Sequence, residues 1–155
     1  MARYAEGTEV AVEKSQAELK RLIERYGARK VLTFDDQDEG VSALQFQIRD
    51  RQVLLRLRFP AESEFRLDAR GRLRTDNARY NAWDAERRRL WRSLVMVVKA
   101  KLESVESGIE TFDEAFLPHL VMEGGGTIGD RVLAELPRAL ASGFLPALAA
   151  GRPQA

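Results

Sequence analysis

The stretch from Ala78 to Ile109 constrains the fold of this chain most strongly, because it has the pattern of a single amphipathic helix. Apolar residues recur at intervals of three and four, and neither proline nor glycine occurs before Gly108. Such a helix would be about 45 Å long, which is long for a chain of 155 residues. It must form the spine on which a sheet packs, or present a face to a partner. Its apolar positions are Tyr80, Trp83, Leu90, Leu94, Val97, Val98, Leu102, Val105 and Ile109.

The residues before this helix predict an antiparallel β-meander. Runs typical of β-strands occur at 31–34, 43–48 and 53–59, and apolar residues alternate with others in the last two. A tight hairpin is expected at Asp50-Arg51. One face of the sheet is expected to be apolar and to pack on helices. The opposite face is expected to be polar and basic, with Gln45, Gln47, Arg56 and Arg58.

Two capping boxes indicate where further helices begin. Ser15 and Glu18 have the spacing in which each side chain accepts a hydrogen bond from the backbone amide of the other residue. A helix should therefore run from Ser15 to about Tyr26. Thr111 and Glu114 repeat this spacing and predict a short helix after the long one.

Together these elements predict an α+β fold. It has an N-terminal helix, a three-stranded antiparallel meander packed on one long amphipathic helix, and short C-terminal helices. Residues 60–76 are irregular and rich in arginine, which leaves open a small β-ribbon or a mobile loop. Since the chain has no internal repeat and no low-complexity linker, we expect one domain over residues 1–150 and a frayed tail at 151–155.

The composition excludes several classes of protein. The chain has no cysteine, which rules out disulfides and thiolate metal sites. Its N-terminus lacks the apolar segment of a secretory signal, and no run approaches the roughly 18 apolar residues of a membrane span. We therefore expect a cytoplasmic protein that has no contact with a membrane.

Three patterns that suggest catalysis or ligand binding lack the context that such chemistry needs. The glycines of 124–129 have a dinucleotide-binding spacing, but no second strand is expected after them. A calcium loop starting at the acidic turn 35–40 would need glutamate at its twelfth position, where Phe46 stands. His119 is the only histidine, with no evident partner for a metal site or a catalytic triad. We therefore predict no catalytic residue, no cofactor and no metal, in a protein that is not an enzyme.

The segment from Arg49 to Arg92 is strongly basic. It contains thirteen arginines and no lysine against seven acidic residues, a local charge of +6 in a chain whose net charge is +1. Guanidinium groups suit phosphate, and aromatic rings stack on bases, so arginine interleaved with tryptophan is typical of proteins that bind single-stranded nucleic acid. The candidate nucleic-acid-binding residues are Arg56, Arg58, Arg87, Arg88, Arg92, Trp83 and Trp91.

The same residues also have a purely structural interpretation. Trp83 and Trp91 would then be core residues of the long helix, and the arginines would be solvated surface charges. Arg87 distinguishes the two interpretations, because its position between Trp83 and Leu90 falls on the apolar stripe. An arginine there must pair with an acid, reach water with its charged end while its aliphatic part stays buried, or contact a ligand.

Three stretches resemble a family of small proteins of unassigned function encoded by tailed phages and prophages. They are MARYAEGTEVAVEKSQAELKRLIERYGA at 1–28, LWRSLVMVVKAKLESVESGIETFDEAFLPHLV at 90–121 and TIGD at 127–130. The resemblance implies a bacterial or phage cytoplasm as the setting, and it transfers no functional residue because the family has no established active site. The order of helix, meander and long helix is also similar to the core of phage single-strand annealing proteins, a likeness of fold alone.

These observations leave two hypotheses of function. The first is a phage-encoded nucleic-acid-binding protein that binds single strands as an accessory of replication or recombination. The second is a protein–protein interaction or oligomerisation module, such as an adaptor or an inhibitor of a host factor. It follows from a second apolar stripe on the long helix, which would need a second partner and predicts a homo-oligomer. That stripe contains Trp91, Val95, Val98 and Leu102.

Overall fold

The described part of the chain comprises residue 5 and residues 7–139 of a computed structural model, and its elements confirm the α+β fold. A helix precedes three antiparallel strands, a long helix and short C-terminal helices. The tail predicted at 151–155 lies outside the described residues. The elements are α1 (Val12–Arg25), β1 (Ala28–Asp36), β2 (Val41–Ile48), β3 (Arg51–Arg58), α2 (Asp76–Glu106), α3 (Phe112–Phe116) and α4 (Ile128–Ala139), with 3₁₀ turns at Glu62–Phe65 and Leu117–His119.

The three strands form an antiparallel sheet in the order β1-β2-β3. Ile48 pairs with Arg51, so the turn between β2 and β3 consists of Arg49 and Asp50. The hairpin predicted at Asp50-Arg51 is thus displaced by one residue. Arg49 accommodates the tight turn by adopting a positive φ of 53°. This pairing keeps the buried side chains of both strands on one face, which a slip of one residue would reverse.

The core lies between one face of the sheet, here called the inner face, and the helices α1 and α2. Leu19 of α1, Phe46 of β2 and Trp91 of α2 each expose 1% or less of their surface. Burial of one large apolar side chain contributes about 2 kcal/mol, so this cluster holds the long helix on the sheet.

Helix α2 is covered on two sides by its own chain. The second apolar stripe, which suggested a symmetry mate, is buried in the same core cluster as Leu19 and Ile23 of α1. Helix α1 packs directly against α2. The stripe therefore needs no second copy of the chain. The large apolar residues that α2 leaves exposed are Tyr80, Met96 and Val97.

The two predicted capping boxes have different outcomes. The Thr111 amide donates to the Glu114 carboxylate at 2.7 Å, and the Glu114 amide donates to the Thr111 hydroxyl at 3.2 Å, as expected. The prediction at Ser15 was wrong, because α1 already begins at Val12 and Ser15 is buried within it. Val12 itself joins the core, so the apolar face of the helix extends upstream of the apparent cap.

The irregular segments extend the sheet and form a small ribbon. Leu67 pairs with Leu73, so the ribbon interpretation of residues 60–76 is correct. After α3, Leu120 pairs with Val53, which places the chain along the free edge of β3 before α4 begins.

No helix in the described part of the chain has the length and apolar character needed to cross a lipid bilayer.

Candidate interaction surface

Both tryptophans of the predicted nucleic-acid site lie in the protein interior. Trp91 exposes 1% of its surface and Trp83 exposes 4%. The indole nitrogen of Trp83 donates to the Pro60 carbonyl at 3.2 Å, and its ring centroid lies 6.1 Å from that of Phe59. Neither indole offers an exposed face on which a base would stack.

Arg87 is buried, with 7% of its surface exposed, and is paired inside the chain. Its Nη2 donates to one carboxylate oxygen of Asp35, and the Ser42 hydroxyl donates to the other. The guanidinium carbon lies 4.8 Å from the centroid of the Trp83 ring and 5.7 Å from that of Phe59. Arg87 therefore ties α2 to β1 through a charge-assisted hydrogen bond and cation–π contacts.

Arg88 and Arg92 also face acids of the same chain. The Nε atom of Arg88 lies 3.0 Å from the Asp84 carboxylate, one turn earlier on α2. Both Nη atoms of Arg92 donate to Glu18 on α1, and this hydrogen bond lowers the pKa of Glu18 below its ordinary value. These pairs neutralise two of the charges that the sequence offered for phosphate.

Arg56 connects β3 to the start of α4. Its Nη1 lies 2.9 Å from each carboxylate oxygen of Asp130. The Thr127 amide donates to the same carboxylate at 2.9 Å, and the Asp130 amide donates to the Thr127 hydroxyl at 3.1 Å. The Thr127 amide and then Arg56 lower the pKa of Asp130 to about 2. Arg56 thus helps to fix the N-terminus of α4.

Arg58 differs from the other predicted arginines. It is exposed at the end of β3, and its side chain has no ion pair or hydrogen bond with any described residue. Within the same part of the chain this also holds for Arg66 and Arg70 of the following ribbon, whereas Arg72 pairs with Asp68 at 2.8 Å. The predicted cation that remains available therefore lies at the end of β3, next to the ribbon, rather than on α2.

The most exposed apolar surface of the sheet is the side that faces away from the helices, here called the outer face. On β1, Leu32 is 63% exposed and Phe34 is 58% exposed. Both border a shallow depression of about 480 Å³ that Ala43 and Leu54 also line. The outer face consists of Lys30, Leu32, Phe34 and Asp36 of β1, Val41, Ala43, Gln45 and Gln47 of β2, and Gln52, Leu54, Arg56 and Arg58 of β3.

The outer face is more apolar than the sequence predicts. The prediction used the alternation of β2 and β3, whereas β1 carries apolar residues at both inward and outward positions. The pairing of Leu32 with Gln45 places Leu32 on the outer face, and the pairing of Phe34 with Ala43 does the same for Phe34. The missing information was the register of the β1–β2 hairpin, because register alone decides which face a strand residue occupies.

A cleft of about 500 Å³ lies at the opposite end of the molecule, beside the β2–β3 turn. Its lining is apolar on the side of α2, and Arg51 pairs with Asp113 at 2.9 Å on its rim. The hydroxyl groups in the lining belong to Tyr26 and Thr111. Thr111 donates to Glu114 at 2.8 Å, and a hydrogen bond to Glu106 raises the pKa of the Tyr26 phenol. The cleft therefore offers neither an activated nucleophile nor an unbalanced charge.

Within residues 5 and 7–139, no three His, Asp or Glu side chains come together in a way that could hold a metal ion. His119 is half-buried, and this burial, together with the nearby charge of Lys101, lowers its pKa.

Comparisons with protein-family models, with curated proteins and with solved structures found no match. A functional proposal therefore depends on the surfaces of the chain itself.

Replacement of Asp35 by Asn should lower the free energy of unfolding by about 2 kcal/mol. The reason is that Arg87 would retain Asp84, at 3.6 Å, as its only acidic partner among the described residues, although the 24% exposure of the Asp35 side chain moderates the loss. Urea denaturation followed by tryptophan fluorescence would measure the change. Asp38→Asn, in the adjacent exposed turn, is the matched control. Equal stability of the two variants would contradict a role of the Arg87 pair in holding α2 to β1.

The lowered pKa of Asp130 predicts a specific loss of stability in acid. Its carboxyl titrates at about 2 in the folded chain against an ordinary value of 3.8. Its contribution is therefore complete above the ordinary value and disappears as the pH falls through the folded value. Urea denaturation between pH 5 and pH 2 should show a shallower decline for Asp130→Asn than for the wild type. The Asn side chain keeps an acceptor for the Thr127 amide, and parallel declines would show that the carboxylate is not linked to folding.

Proposed function

We propose that the protein is a non-enzymatic protein-binding module whose binding surface is the outer face of the sheet. The observation that supports this best is the exposure of Leu32 and Phe34, at 63% and 58%, on successive outward positions of β1. An antiparallel sheet that faces water normally carries polar residues outward. Large apolar side chains grouped on such a face are typical of a surface that a partner covers.

The arrangement of the outer face also resembles the anatomy of an interface. Leu32, Phe34, Ala43 and Leu54 border one apolar depression across the three strands, and the charged side chains of Lys30, Asp36 and Arg58 lie near the ends of β1 and β3. An interface with an apolar centre and a polar rim has this distribution. Covering each exposed apolar side chain would contribute roughly 1 to 2 kcal/mol, which gives a partner an energetic reason to bind there. In the setting that the family resemblance implies, such a module would be a phage-encoded adaptor or an inhibitor of a host factor.

Site-specific photo-crosslinking tests this function and does not require the partner to be identified beforehand. A photoreactive phenylalanine analogue replaces Phe34 in the full chain, which is then irradiated in bacterial cells. We expect crosslinked protein adducts, because Phe34 is one of the two most exposed apolar side chains of the proposed interface. The mass of each adduct shows whether it contains a second copy of the chain or another protein.

The same analogue at Leu133 is the matched control. Leu133 is an apolar residue of α4 with 64% exposure, which is close to that of Leu32, but it lies outside the outer face. The proposal predicts adducts from position 34 and few from position 133. Equal yields at both positions, or none from position 34, would exclude the outer face as the binding surface.

Nucleic-acid binding is the second candidate function, and the available cations of residues 58–70 favour it. Arg58, Arg66 and Arg70 are exposed, and none has an acidic partner among the described residues. Guanidinium groups without partners can neutralise phosphates and release counterions. The binding residues would then differ from the predicted set, since Arg58 is the member of that set that has no partner among the described residues. Single strands would be held by charge rather than by stacking on Trp83 or Trp91.

The triple variant Arg58→Glu, Arg66→Glu and Arg70→Glu should weaken binding of a labelled single-stranded oligonucleotide by about tenfold or more at low salt. Fluorescence anisotropy across a salt series would measure the affinity and its salt dependence. Lysine at the same three positions is the matched control, because it keeps the charge that phosphate recognises. If the wild type does not bind even at low salt, this candidate is excluded.

A further inference from the structure

We infer that the outer face binds a second copy of this chain, in a face-to-face dimer whose two-fold axis lies above β2 and runs parallel to the strands. This inference rests on the proposed function, because it names the partner of the same surface. The residues that support it are arranged in rows across the three strands. From the β1–β2 turn downward the rows are Asp36–Val41–Arg58, Phe34–Ala43–Arg56, Leu32–Gln45–Leu54 and Lys30–Gln47–Gln52.

The first row carries opposite charges at its two ends. Asp36 stands on β1 and Arg58 on β3, with Val41 between them. Two strands of separation place their Cα atoms roughly 10 Å apart, so the two groups are not direct neighbours in the sheet. Arg58 has no acidic partner among the described residues. Its charge is therefore available to a carboxylate that lies above the sheet.

Asp36 also retains a free acceptor. Its Oδ1 accepts from the amides of Asp38 at 3.1 Å and Glu39 at 3.0 Å, which closes the turn. The hydrogen bonds of the described residues leave Oδ2 open to another donor. The carboxylate is thus fixed in position by its own turn while one oxygen remains available. A fixed ion-pairing group loses less side-chain entropy on binding than a freely rotating one.

A two-fold axis parallel to the strands places each row of one copy opposite the same row, in reverse strand order, of the other copy. It places β1 of one copy above β3 of the other, with corresponding rows facing each other. Asp36 then faces Arg58 of the partner subunit, and Leu32 faces Leu54 of the partner subunit. Because the interface is isologous, each contact occurs twice. The face therefore pairs its most exposed apolar side chain and its unpaired charge with matching groups.

The centre of the face permits the close approach that stacked sheets require. Along β2 the outward residues Val41, Ala43 and Gln45 would lie near the axis and meet their own copies. Stacked sheets are about 10 Å apart, and side chains of small and medium size fill that space. Phe34 would lie over Arg56 of the partner subunit, whose charge Asp130 already balances within each chain.

An axis perpendicular to the strands is the alternative arrangement. It would place Asp36 opposite Lys30 of the partner subunit and Phe34 opposite Leu32 of the partner subunit, but Arg58 would face Gln52 of the partner subunit and would lack an acid. Both axes set Arg56 against an apolar side chain. The parallel axis gives Arg58 an acidic partner, so a weaker dimer of the Arg58→Asp variant distinguishes it from the perpendicular one.

Charge-reversal variants of the full chain test the dimer by sedimentation equilibrium. Asp36→Arg gives every chain two cations at the facing positions, and Arg58→Asp gives every chain two anions there. We expect each variant alone to dimerise at least about tenfold more weakly than the wild type, because like charges face each other twice. An equimolar mixture of the two should recover the dimer. In the mixed dimer the introduced arginine of one chain faces the introduced aspartate of the other, and the unchanged Arg58 and Asp36 face each other.

Three further variants separate a loss of the dimer from a loss of folding. Asp36→Asn keeps the acceptor for the turn amides and removes only the charge, so it should weaken the dimer less than Asp36→Arg does. Leu32→Glu alters an exposed side chain and should abolish the dimer, and it should leave the melting temperature unchanged at concentrations where the wild type is monomeric. Lys14→Asp, at an exposed position of α1, should leave the dimer intact.

The outcomes separate this inference from the function on which it rests. A wild-type chain that stays monomeric at millimolar concentration, or a mixture that stays as monomeric as its two components, would overturn the dimer. If position 34 nevertheless forms adducts with another protein in cells, the outer face remains a protein-binding surface and only the second copy is wrong. If position 34 forms no adducts and the chain is monomeric, both proposals fail.

Discussion

The structure depends on the burial of the long helix α2 from two sides. A helix of 31 residues with apolar positions on more than one stripe cannot remain stable in water with one side covered. Trp91, Val95 and Leu102 of α2 lie in one core cluster with residues of the inner face and of α1, and α1 packs directly against α2. This arrangement uses the inner face of the sheet and leaves Leu32 and Phe34 of the outer face exposed, although the start of α4 reaches that face at Arg56. The exposed outer face is therefore a consequence of how α2 is buried.

Several arginines of the basic segment make contacts that hold the elements of the fold together. Arg87 is stacked on Trp83 and paired with Asp35, Arg92 joins α2 to α1, and Arg56 joins β3 to α4. Arginine suits these positions because its planar guanidinium can pair with a carboxylate and stack on a ring at the same time. The local excess of positive charge is thus a weaker sign of a nucleic-acid partner than it is in a chain whose arginines are free.

The proposed binding surface and the proposed dimer have a common physical origin. An antiparallel sheet can keep one side in water at little cost only if that side is polar. Here β1 places Leu32 and Phe34 on that side, and the β1–β2 turn places Asp36 in the same row as Arg58. Apolar exposure supplies the driving force for association, while the order of charges determines the orientation of the partner. The available cations of residues 58–70 lie at the margin of this face and beyond it, so nucleic-acid binding would share Arg58 with the dimer and would otherwise use different groups.

The sequence by itself determined the elements of this fold. The apolar period of α2, the alternation along β2 and β3 and the capping box at Thr111 are local signals, because each depends on residues only a few positions apart. They sufficed for the α+β class and the meander, and the anomaly at Arg87 identified a residue that had to be paired or functional. The start of α1 was misplaced, since Ser15 shows the local spacing of a cap whereas tertiary burial of Val12 decides where the helix begins.

Only the tertiary structure decided which surfaces remain available. The partner of Arg87 is 52 positions away in the chain, and the partners of Arg56 and Arg92 are each 74 positions away. No local pattern encodes such pairings, so the sequence could not separate a bound arginine from a free one. The face of Leu32 and Phe34 likewise depended on hairpin register, which is set by how the whole sheet packs. Composition therefore revealed a segment rich in arginine, and packing decided that Trp83, Trp91 and Arg87 are buried and that Arg56, Arg88 and Arg92 face acids of the same chain.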